Sequence, residues 1–306
     1  MKAVITGATG AIGMALIEEL LRREIPTLVF CRADSARNSR IPDHPLLKKV
    51  NCSLSQMAEF QPDFNERYDV FYHFAWEGTT GEARNDMLLQ NRNVRYTLDA
   101  VSLAERLGCH TFIGAGSQAE YGRVEGSLTP TTPAFPENGY GMAKLCASQM
   151  SRVACEQKGM RHVWARILSV YGPFDGGGSM VMSTIGKLAR GEKPSFTAGE
   201  QVWDYLYSGD AANAFIALAE KGRHGAVYCL GSGDPRPLKD YILAIRDAVN
   251  PDAFLGLGEV PYAPKQVMYL CADISSLRED TGFVPAVTFE EGIRKTVRWF
   301  TDSQST

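Results

Sequence analysis

The stretch MKAVITGATGAIG, residues 1–13, decides the fold of this chain. Its Ala3-Val4-Ile5 run has the composition of a short buried strand. From residue 12 to residue 21, apolar side chains recur at the three- and four-residue spacing of a helix with one buried face. The glycines between these two segments therefore lie at a strand-to-helix turn.

Gly7, Gly10 and Gly13 leave this turn without side chains. Backbone N–H groups can then approach a phosphate closely, and the N-terminus of the following helix adds partial positive charge. The turn predicts a site for the pyrophosphate of a dinucleotide. Glycine turns also join strands to helices for steric reasons alone, and this spacing departs from G-x-G-x-x-G, so the turn by itself leaves both interpretations open.

Composition indicates an ordinary globular protein with a small-molecule ligand. The 306 residues are 44% hydrophobic and 22% charged, with a formal net charge of -3 and no run of lysines or arginines. Nucleic-acid and membrane-surface partners usually require a basic patch, so neither is expected. The sequence shows no basic-then-apolar leader and no apolar run of membrane-spanning length, which predicts a cytoplasmic protein.

The metal-binding residue types show no ligand pattern. The seven cysteines form no C-x-x-C pair, and the five histidines form no H-E-x-x-H motif. We therefore expect most of the cysteines to be buried small hydrophobic residues, and no metal.

Strand-like runs at residues 27–32, 69–76, 111–117 and 162–172 alternate with helix-like segments, of which residues 92–108 are the clearest. Strands separated by helices predict an α/β fold with a Rossmann-type, doubly wound parallel sheet. We assign residues 1–172 to a dinucleotide-binding domain. Residues 173–306, richer in glycine and proline, are assigned mainly to a smaller α/β substrate-binding lobe, with some segments returning to the first domain. Substrate is expected in the cleft between them.

Three residues carry candidate chemistry. Tyr140 and Lys144 lie four residues apart in a helical segment, so both side chains emerge from one helix face. A lysine ammonium near a phenol favours the phenolate, which predicts a lowered Tyr140 pKa and a role as general acid or base. Ser117 ends a predicted strand, at the edge where parallel sheets bind ligands.

The ordered motifs TGATGAIG, HFAW, RNV, GSQAEYG, YGMAK and ARILSVYGP resemble those of the extended short-chain dehydrogenase/reductases. This superfamily includes nucleotide-sugar epimerases, dehydratases and 4-ketoreductases, and the resemblance covers nearly the whole chain. It implies that Tyr140 is the catalytic acid/base and that Ser117 hydrogen-bonds the reacting oxygen. Lys144 would bind the nicotinamide ribose and tune Tyr140.

The resemblance also implies further binding residues. Tyr140 and Lys144 would contact the cofactor together with residues of the glycine turn and strand ends, namely Gly7, Gly10, Ala11, Ile12, Gly13, Phe74, Ala75 and Ile167. The residues expected to line the substrate are Trp76, Gln118 and Ser169. Asn93 resembles a structural asparagine, and His73 is expected to support its strand end. A homodimer built from helices of the first domain would also fit.

Two departures from the family pattern bear on the reaction. Dehydratases of the family carry an acidic pair directly after the position of Ser117, where this chain has Gln118 and Ala119. Neither can transfer a proton, so a 4,6-dehydratase is not expected. Glu120 would point to the opposite side of an extended segment and is given a structural role. In the second lobe, Trp203 replaces an arginine that would clamp a diphosphate, leaving Lys265 and Arg236 as weak substitutes.

The end of the second strand bears on the cofactor. Cys31 stands where NAD-binding enzymes usually offer an acid to the adenosine ribose, and Arg32 and Arg37 follow. Guanidinium groups without an acid suit a ribose 2′-phosphate and predict NADP. The alternatives are that both arginines are solvated surface charges, or that Asp34 supports NAD.

The sequence therefore predicts NADP(H)-dependent reduction of a 4-keto (deoxy)sugar nucleotide, with Tyr140 as the proton donor. The main alternative is an NAD-dependent nucleotide-sugar 4-epimerase, which would use the same three residues. A third alternative is a protein that senses dinucleotides without catalysis.

Overall fold

Strands and helices alternate along the N-terminal part of the chain. In this computed structural model, which describes residues 1–62 and 65–304, the elements of that part are β1 (Ala3–Thr6), α1 (Ala11–Arg22), β2 (Thr27–Cys31), β3 (Leu47–Asn51), β4 (Val70–His73), α2 (Met87–Arg106), β5 (Thr111–Ser117), α3 (Gly139–Gln157) and β6 (Arg161–Ile167). The elements that follow are β7 (Ser169–Tyr171), α4 (Met180–Ala189), β8 (Val202–Trp203), β9 (Tyr205–Tyr207), α5 (Ser208–Lys221), β10 (Ala226–Leu230), β11 (Arg236–Pro237), α6 (Leu238–Val249), β12 (Tyr269–Leu270), α7 (Ser275–Thr281) and α8 (Phe289–Gln304).

Seven strands form one sheet in the order β10-β6-β5-β4-β1-β2-β3, and every neighbouring pair is parallel. The chain runs outward from β1 to β3 and then returns to place β4 on the other side of β1. Ligands of open α/β sheets bind at this kind of reversal, beyond the carboxyl ends of the strands. The predicted Rossmann-type α/β fold is confirmed.

Helices cover both faces of this sheet, so its central strands are buried along their length. All residues of β1 and β4 are buried. On β5, Phe112 packs into the core beneath α2, whereas the adjacent Ile113 packs into the core beneath α1 and α5. Helix α1 buries Leu16, Ile17 and Leu20, as its spacing predicts.

A second, smaller core lies among α4, α6 and α8. Ile185, Ile245 and Ile293 from these three helices pack with Tyr171 and Phe289. Two small sheets, β7-β9 and β11-β8-β12, adjoin this core. The division of the chain at residue 172 stays a prediction.

The apolar run at residues 162–172 is not one strand, contrary to the sequence analysis. Strand β6 ends at Ile167, and β7 leaves the large sheet to pair with β9. The large sheet is instead extended by β10, which pairs with β6, while α5 packs against its face. None of the described helices is long and apolar enough to cross a membrane.

Candidate active site

The glycine turn is packed so closely that side chains cannot be added at two of its positions. Gly7 has φ +74°, and a Cβ there would lie 2.5 Å from the Ala75 backbone N. A Cβ on Gly13 would lie 2.5 Å from the Gly7 carbonyl oxygen. Gly10 precedes α1, and nothing lies within 4 Å of where its Cβ would be. Because the first N–H groups of a helix lack intrahelical partners, this open position fits a pyrophosphate.

A cavity of about 530 Å³ extends from this turn along the carboxyl ends of β1, β2 and β4. The predicted cofactor residues that line it are Gly7, Gly10, Arg32, Phe74 and Ala75, together with Arg37 and the predicted substrate residue Trp76. Ala11, Ile12 and Gly13 form the first turn of α1. Ile167 ends β6 and is not part of the cavity lining. The cavity lies where a dinucleotide is expected, at the glycine turn and the carboxyl ends of these strands.

Arg40 is a residue of this region that the sequence analysis missed. It ends the short 3₁₀ helix Ala36–Arg40 and donates a hydrogen bond of 3.0 Å to the Thr9 carbonyl oxygen in the glycine turn. Its guanidinium also lies 5.6 Å from the centre of the Phe174 ring. The only sequence signal was its spacing of three from Arg37, since a contact with Thr9 depends on the tertiary fold.

The three predicted catalytic residues lie together beyond β5. Ser117 is the N-cap of a 3₁₀ helix, and its hydroxyl accepts a hydrogen bond from Ala119 N at 3.2 Å. Tyr140 lies in the first turn of α3, close enough to Ser117 for that side chain to lower its pKa. Lys144 lies one turn further, buried, and its Nζ donates to the Ala115 carbonyl oxygen at 2.6 Å.

The expectation that Lys144 lowers the pKa of Tyr140 is wrong for this structure. Burial raises the pKa of Tyr140, and the nearby Ser117 side chain and the charge of Arg84 only partly oppose that effect. Burial also lowers the pKa of Lys144 to about 7, although the charge of Glu120 acts in the other direction. Both groups are shifted toward their neutral forms because both are withdrawn from water.

Trp76 connects the cavity to this cluster. Its ring lies edge-on to Tyr140 with the ring centres 6.1 Å apart, and Lys144 Nζ lies 3.8 Å from its centre. The indole N–H donates to Gln90 Oε1 at 2.9 Å, so a residue of α2 fixes the ring. The predicted substrate residue therefore adjoins both candidate catalytic side chains.

Glu120 does not point away on an extended strand. The 3₁₀ turn Gln118–Glu120 brings its carboxylate back beneath Ser117, where it is fully buried. It accepts hydrogen bonds from Ser117 N at 2.8 Å, Trp164 Nε1 at 2.9 Å and Arg166 Nε at 2.7 Å. Its carboxylate thus anchors the segment that carries Ser117, which fits the structural role assigned from sequence.

His73 and Asn93 also have structural surroundings. The His73 ring nitrogens contact the hydroxyls of Thr6 at 3.0 Å and Thr97 at 3.4 Å, and burial lowers its pKa to about 3. His73 is therefore neutral at physiological pH. Asn93 donates to the Glu77 carbonyl oxygen at 2.9 Å and accepts from Glu77 N at 3.0 Å, which fixes the chain after β4.

Trp203 and Arg236, the second-lobe residues considered in relation to a diphosphate, contact other side chains of the protein. Trp203 Nε1 donates to the Ser169 hydroxyl at 2.9 Å, so these two residues contact each other. Arg236 pairs with Asp234 at 3.0 Å and Glu290 at 2.7 Å and is not available as a free guanidinium. Within residues 1–62 and 65–304, no group of three His, Cys, Asp or Glu side chains could hold a metal ion.

The sequence of residues 3–231 matches the NAD dependent epimerase/dehydratase family over most of the chain. The chain belongs to this family. The family includes the enzymes of the extended short-chain dehydrogenase/reductase type that the motifs resemble, so the resemblance is confirmed. Its members are dehydratases, epimerases and reductases.

Individual relatives span those reactions. A dTDP-glucose 4,6-dehydratase of Neisseria meningitidis is 23% identical over 99% of this chain and 94% of its own length. A dTDP-4-dehydro-6-deoxyglucose reductase of Escherichia coli is 25% identical over 96% of both chains. Whole-chain similarity therefore does not discriminate between reaction classes.

Solved structures of the family share the fold. A UDP-N-acetylglucosamine 4-epimerase from Methanobrevibacter ruminantium, in complex with UDP-N-acetylmuramic acid, aligns with a TM-score of 0.88 at 22% identity over 99% of this chain and 98% of that one. RMD from Pseudomonas aeruginosa, complexed with NADPH, aligns with a TM-score of 0.81 at 18% identity over 99% and 100%. The NADPH bound to RMD, together with the NAD dependence in the family's description, supports a nicotinamide dinucleotide as the cofactor.

Lys144→Met tests the burial of the lysine ammonium. Burial holds the Lys144 pKa at about 7 in the folded chain, below its ordinary 10.5. The buried charge therefore lowers the free energy of unfolding by its full amount below pH 7, and by progressively less as the pH rises from 7 to 10.5. We expect the variant to raise the free energy of unfolding of the cofactor-free protein by roughly 1–3 kcal/mol at pH 6. The gain should shrink by pH 9. Urea denaturation at both pH values measures it.

The control for this variant is Lys187→Met, on the exposed side of α4, which should change stability by less than about 0.5 kcal/mol. A less stable Lys144→Met at pH 6 would show that the contacts of the ammonium with Ala115 and Trp76 outweigh the cost of burying it.

Proposed function

We propose that this protein catalyses the NADP(H)-dependent reduction of a 4-keto (deoxy)sugar nucleotide, with Tyr140 as the proton donor. The observation that carries the cofactor preference is the presence of Arg32 and Arg37 in the cavity lining, with Arg40 beside them at the glycine turn through its hydrogen bond to Thr9. None of the three forms an ion pair with a carboxylate in the part of the chain that the structure describes. Three uncompensated guanidiniums favour an anion, and a ribose 2′-phosphate is the anion that NADP adds to NAD.

The site residues act in this proposal as follows. When bound, NADPH supplies a hydride to the carbonyl carbon. Backbone N–H groups at Ala11 and Ile12 would bind the pyrophosphate, and the chain at Phe74 and Ala75 would line the cofactor, whereas Ile167, outside the cavity lining, stays a prediction from the family resemblance. Lys144, which contacts Ala115 and Trp76 in the cofactor-free structure, would hold the nicotinamide ribose.

Proton transfer falls to the cluster beyond β5. Ser117 donates a hydrogen bond to the carbonyl oxygen and holds it near the phenol. Tyr140 gives its proton to that oxygen as the carbon accepts the hydride, which converts the ketone to an alcohol and leaves a phenolate. Trp76, Gln118 and Ser169 line the sugar in the cleft between the two domains.

A dehydratase reaction is disfavoured by the residues around Ser117. Gln118 and Ala119 carry no acid, and the nearby carboxylate of Glu120 is buried and paired with Arg166 at 2.7 Å. A carboxylate committed to three donors in the core cannot reach a substrate to transfer protons. The segment after Ser117 therefore lacks the acidic pair that the family resemblance implies for a dehydratase.

The second candidate is an NAD-dependent nucleotide-sugar 4-epimerase, because Ser117, Tyr140 and Lys144 serve both reactions. An epimerase retains its cofactor, whereas a reductase consumes it. We would therefore measure the dinucleotide bound to the purified protein, and the NADPH oxidised with a panel of 4-keto nucleotide sugars. Stoichiometric NADPH oxidation with one of them supports the reductase. Tightly retained NAD with interconversion of 4-epimers supports the epimerase, and no turnover with any ketone supports a sensor.

Arg32→Ala tests the cofactor preference. If Arg32 binds the 2′-phosphate, the ratio of NADPH affinity to NADH affinity should fall about ten- to a hundredfold in the variant. A hydrogen bond to a charged group is worth roughly 1.5–3 kcal/mol, which corresponds to a change of this size. NADH affinity should barely change. Titration calorimetry with both dinucleotides measures this, with the exposed Arg190→Ala as the control. Equal losses for both cofactors, or an intact protein that prefers NADH, would contradict the assignment.

A further inference from the structure

Arg84 places a guanidinium against the face of the Tyr140 ring. Its Cζ lies 4.3 Å from the centre of that ring, whereas Lys144 Nζ lies 5.8 Å from it. A cation over an aromatic face at this distance is attracted by the ring, and more strongly when the ring carries the negative charge of a phenolate. Arg84 is thus the nearer of the two cations to Tyr140.

The surrounding chain fixes Arg84 in this position. Its Nη1 donates to the Thr79 carbonyl oxygen at 3.0 Å. Gln90, buried on α2, donates to the Ala83 carbonyl oxygen at 2.9 Å and so holds the 3₁₀ helix that carries Arg84, Gly81–Asn85. The same helix contacts the start of α3, where Gly139 N donates to Asn85 Oδ1 at 3.0 Å.

The close approach of this 3₁₀ helix to α3 depends on a glycine. A Cβ on Gly139 would lie 3.0 Å from the Arg84 carbonyl oxygen and 2.9 Å from Met87 Sδ. The residue next to Tyr140 therefore has no side chain, which lets Arg84 reach the phenol from the neighbouring segment.

The positive charges near Tyr140 also differ in whether a carboxylate pairs with them. Among the described residues Arg84 forms no ion pair, whereas Arg166 pairs with Glu120. Burial lowers the pKa of Lys144 to about 7, so the lysine carries only part of a charge at neutral pH. A guanidinium remains protonated at every pH that the protein tolerates.

We propose that Arg84 is a positioning residue for Tyr140, which holds the phenol ring and stabilises its ionised oxygen by a full positive charge. This rests on the proposed function, because Tyr140 must ionise during turnover for that charge to act. When Tyr140 gives up its proton, the guanidinium stabilises the phenolate left behind. The other groups facing Tyr140 are Lys144 on its own helix and Ser117 and Glu120 after β5.

The test follows the ionisation of Tyr140 directly and needs no substrate. Cofactor-free protein containing 3-fluorotyrosine is titrated by ¹⁹F NMR, and the Tyr140 resonance is assigned by its absence in Tyr140→Phe. Replacing Arg84 by Gln or Met should raise the midpoint of that resonance by about one pH unit or more, a tenfold change in the ionisation constant. Arg84→Lys keeps the charge and should restore most of the shift.

Arg92→Gln, on the exposed side of α2, is the matched control and should leave the midpoint unchanged. The proposal is overturned if folded Arg84→Gln or Arg84→Met gives the midpoint of the intact protein, or if Arg84→Lys behaves like the uncharged variants. Failure of the proposed function would appear separately, as turnover that survives Tyr140→Phe.

Discussion

Tyr140→Phe should lower turnover by about a hundredfold to ten-thousandfold while leaving cofactor affinity nearly unchanged. The variant removes one hydroxyl, and with it the proton that the proposed reaction delivers to the carbonyl oxygen; a positioned acid contributes a factor of this size. The ring would still pack against Trp76 and beneath Arg84, so the shape of the site should persist. Steady-state NADPH oxidation and cofactor titration measure the two effects.

The matched control is Tyr96→Phe, on α2 outside the candidate site. It removes a phenol of the same size and should retain normal turnover. Near-normal rates in Tyr140→Phe would exclude Tyr140 as the acid. A parallel loss of cofactor affinity would instead show that the hydroxyl serves binding, because a group that acts only in the transition state leaves ground-state affinity intact.

The sequence predicted the sheet because local patterns determine it. A buried strand, a glycine turn and an amphipathic helix follow one another within residues 1–21, and each is readable from spacing alone. The meeting of Ser117, Tyr140 and Lys144 was also predictable, since strand order places their elements at one edge of a parallel sheet. Their roles in catalysis stay a prediction.

The pKa shifts of Tyr140 and Lys144, and the cation nearest to Tyr140, could not be predicted from the spacing of residues in the sequence. The four-residue separation of Tyr140 and Lys144 correctly places both on one helix face, but it gives no measure of their burial. Burial shifts both pKa values toward the neutral forms. Arg84 contributes the nearer cation from a segment more than fifty positions away in the chain, a contact that depends on how the chain after β4 folds onto α3.

The direction of Glu120 was likewise beyond local reasoning. An extended segment would have turned its side chain away from Ser117, whereas the 3₁₀ turn brings the carboxylate beneath the Ser117 amide. The donors that stabilise this turn come from β6, in Trp164 and Arg166. Since β6 lies beside β5 only in the folded sheet, the sequence around Glu120 does not reveal its partners.

Glu120→Gln should destabilise the protein by about 3–5 kcal/mol, because it removes the charge that compensates the buried Arg166. The amide oxygen can still accept from Ser117 N and Trp164 Nε1, so the loss isolates the ion pair from those hydrogen bonds. Arg166→Met leaves the carboxylate uncompensated instead and should cost a similar amount. Urea denaturation of both variants gives the free energies of unfolding.

The double variant Glu120→Gln with Arg166→Met decides between loss of a charge pair and loss of packing. If uncompensated charge is the cause, the double variant should be more stable than the sum of the two single losses predicts, because no buried charge remains without a partner. Strict additivity would attribute the losses to packing. Arg95→Met, which removes the largely exposed partner of Asp99 on α2, should cost less than about 1 kcal/mol.

Because Glu120 also holds the Ser117 amide, Arg166→Met should reduce turnover through the position of Ser117 even at temperatures where the protein stays folded.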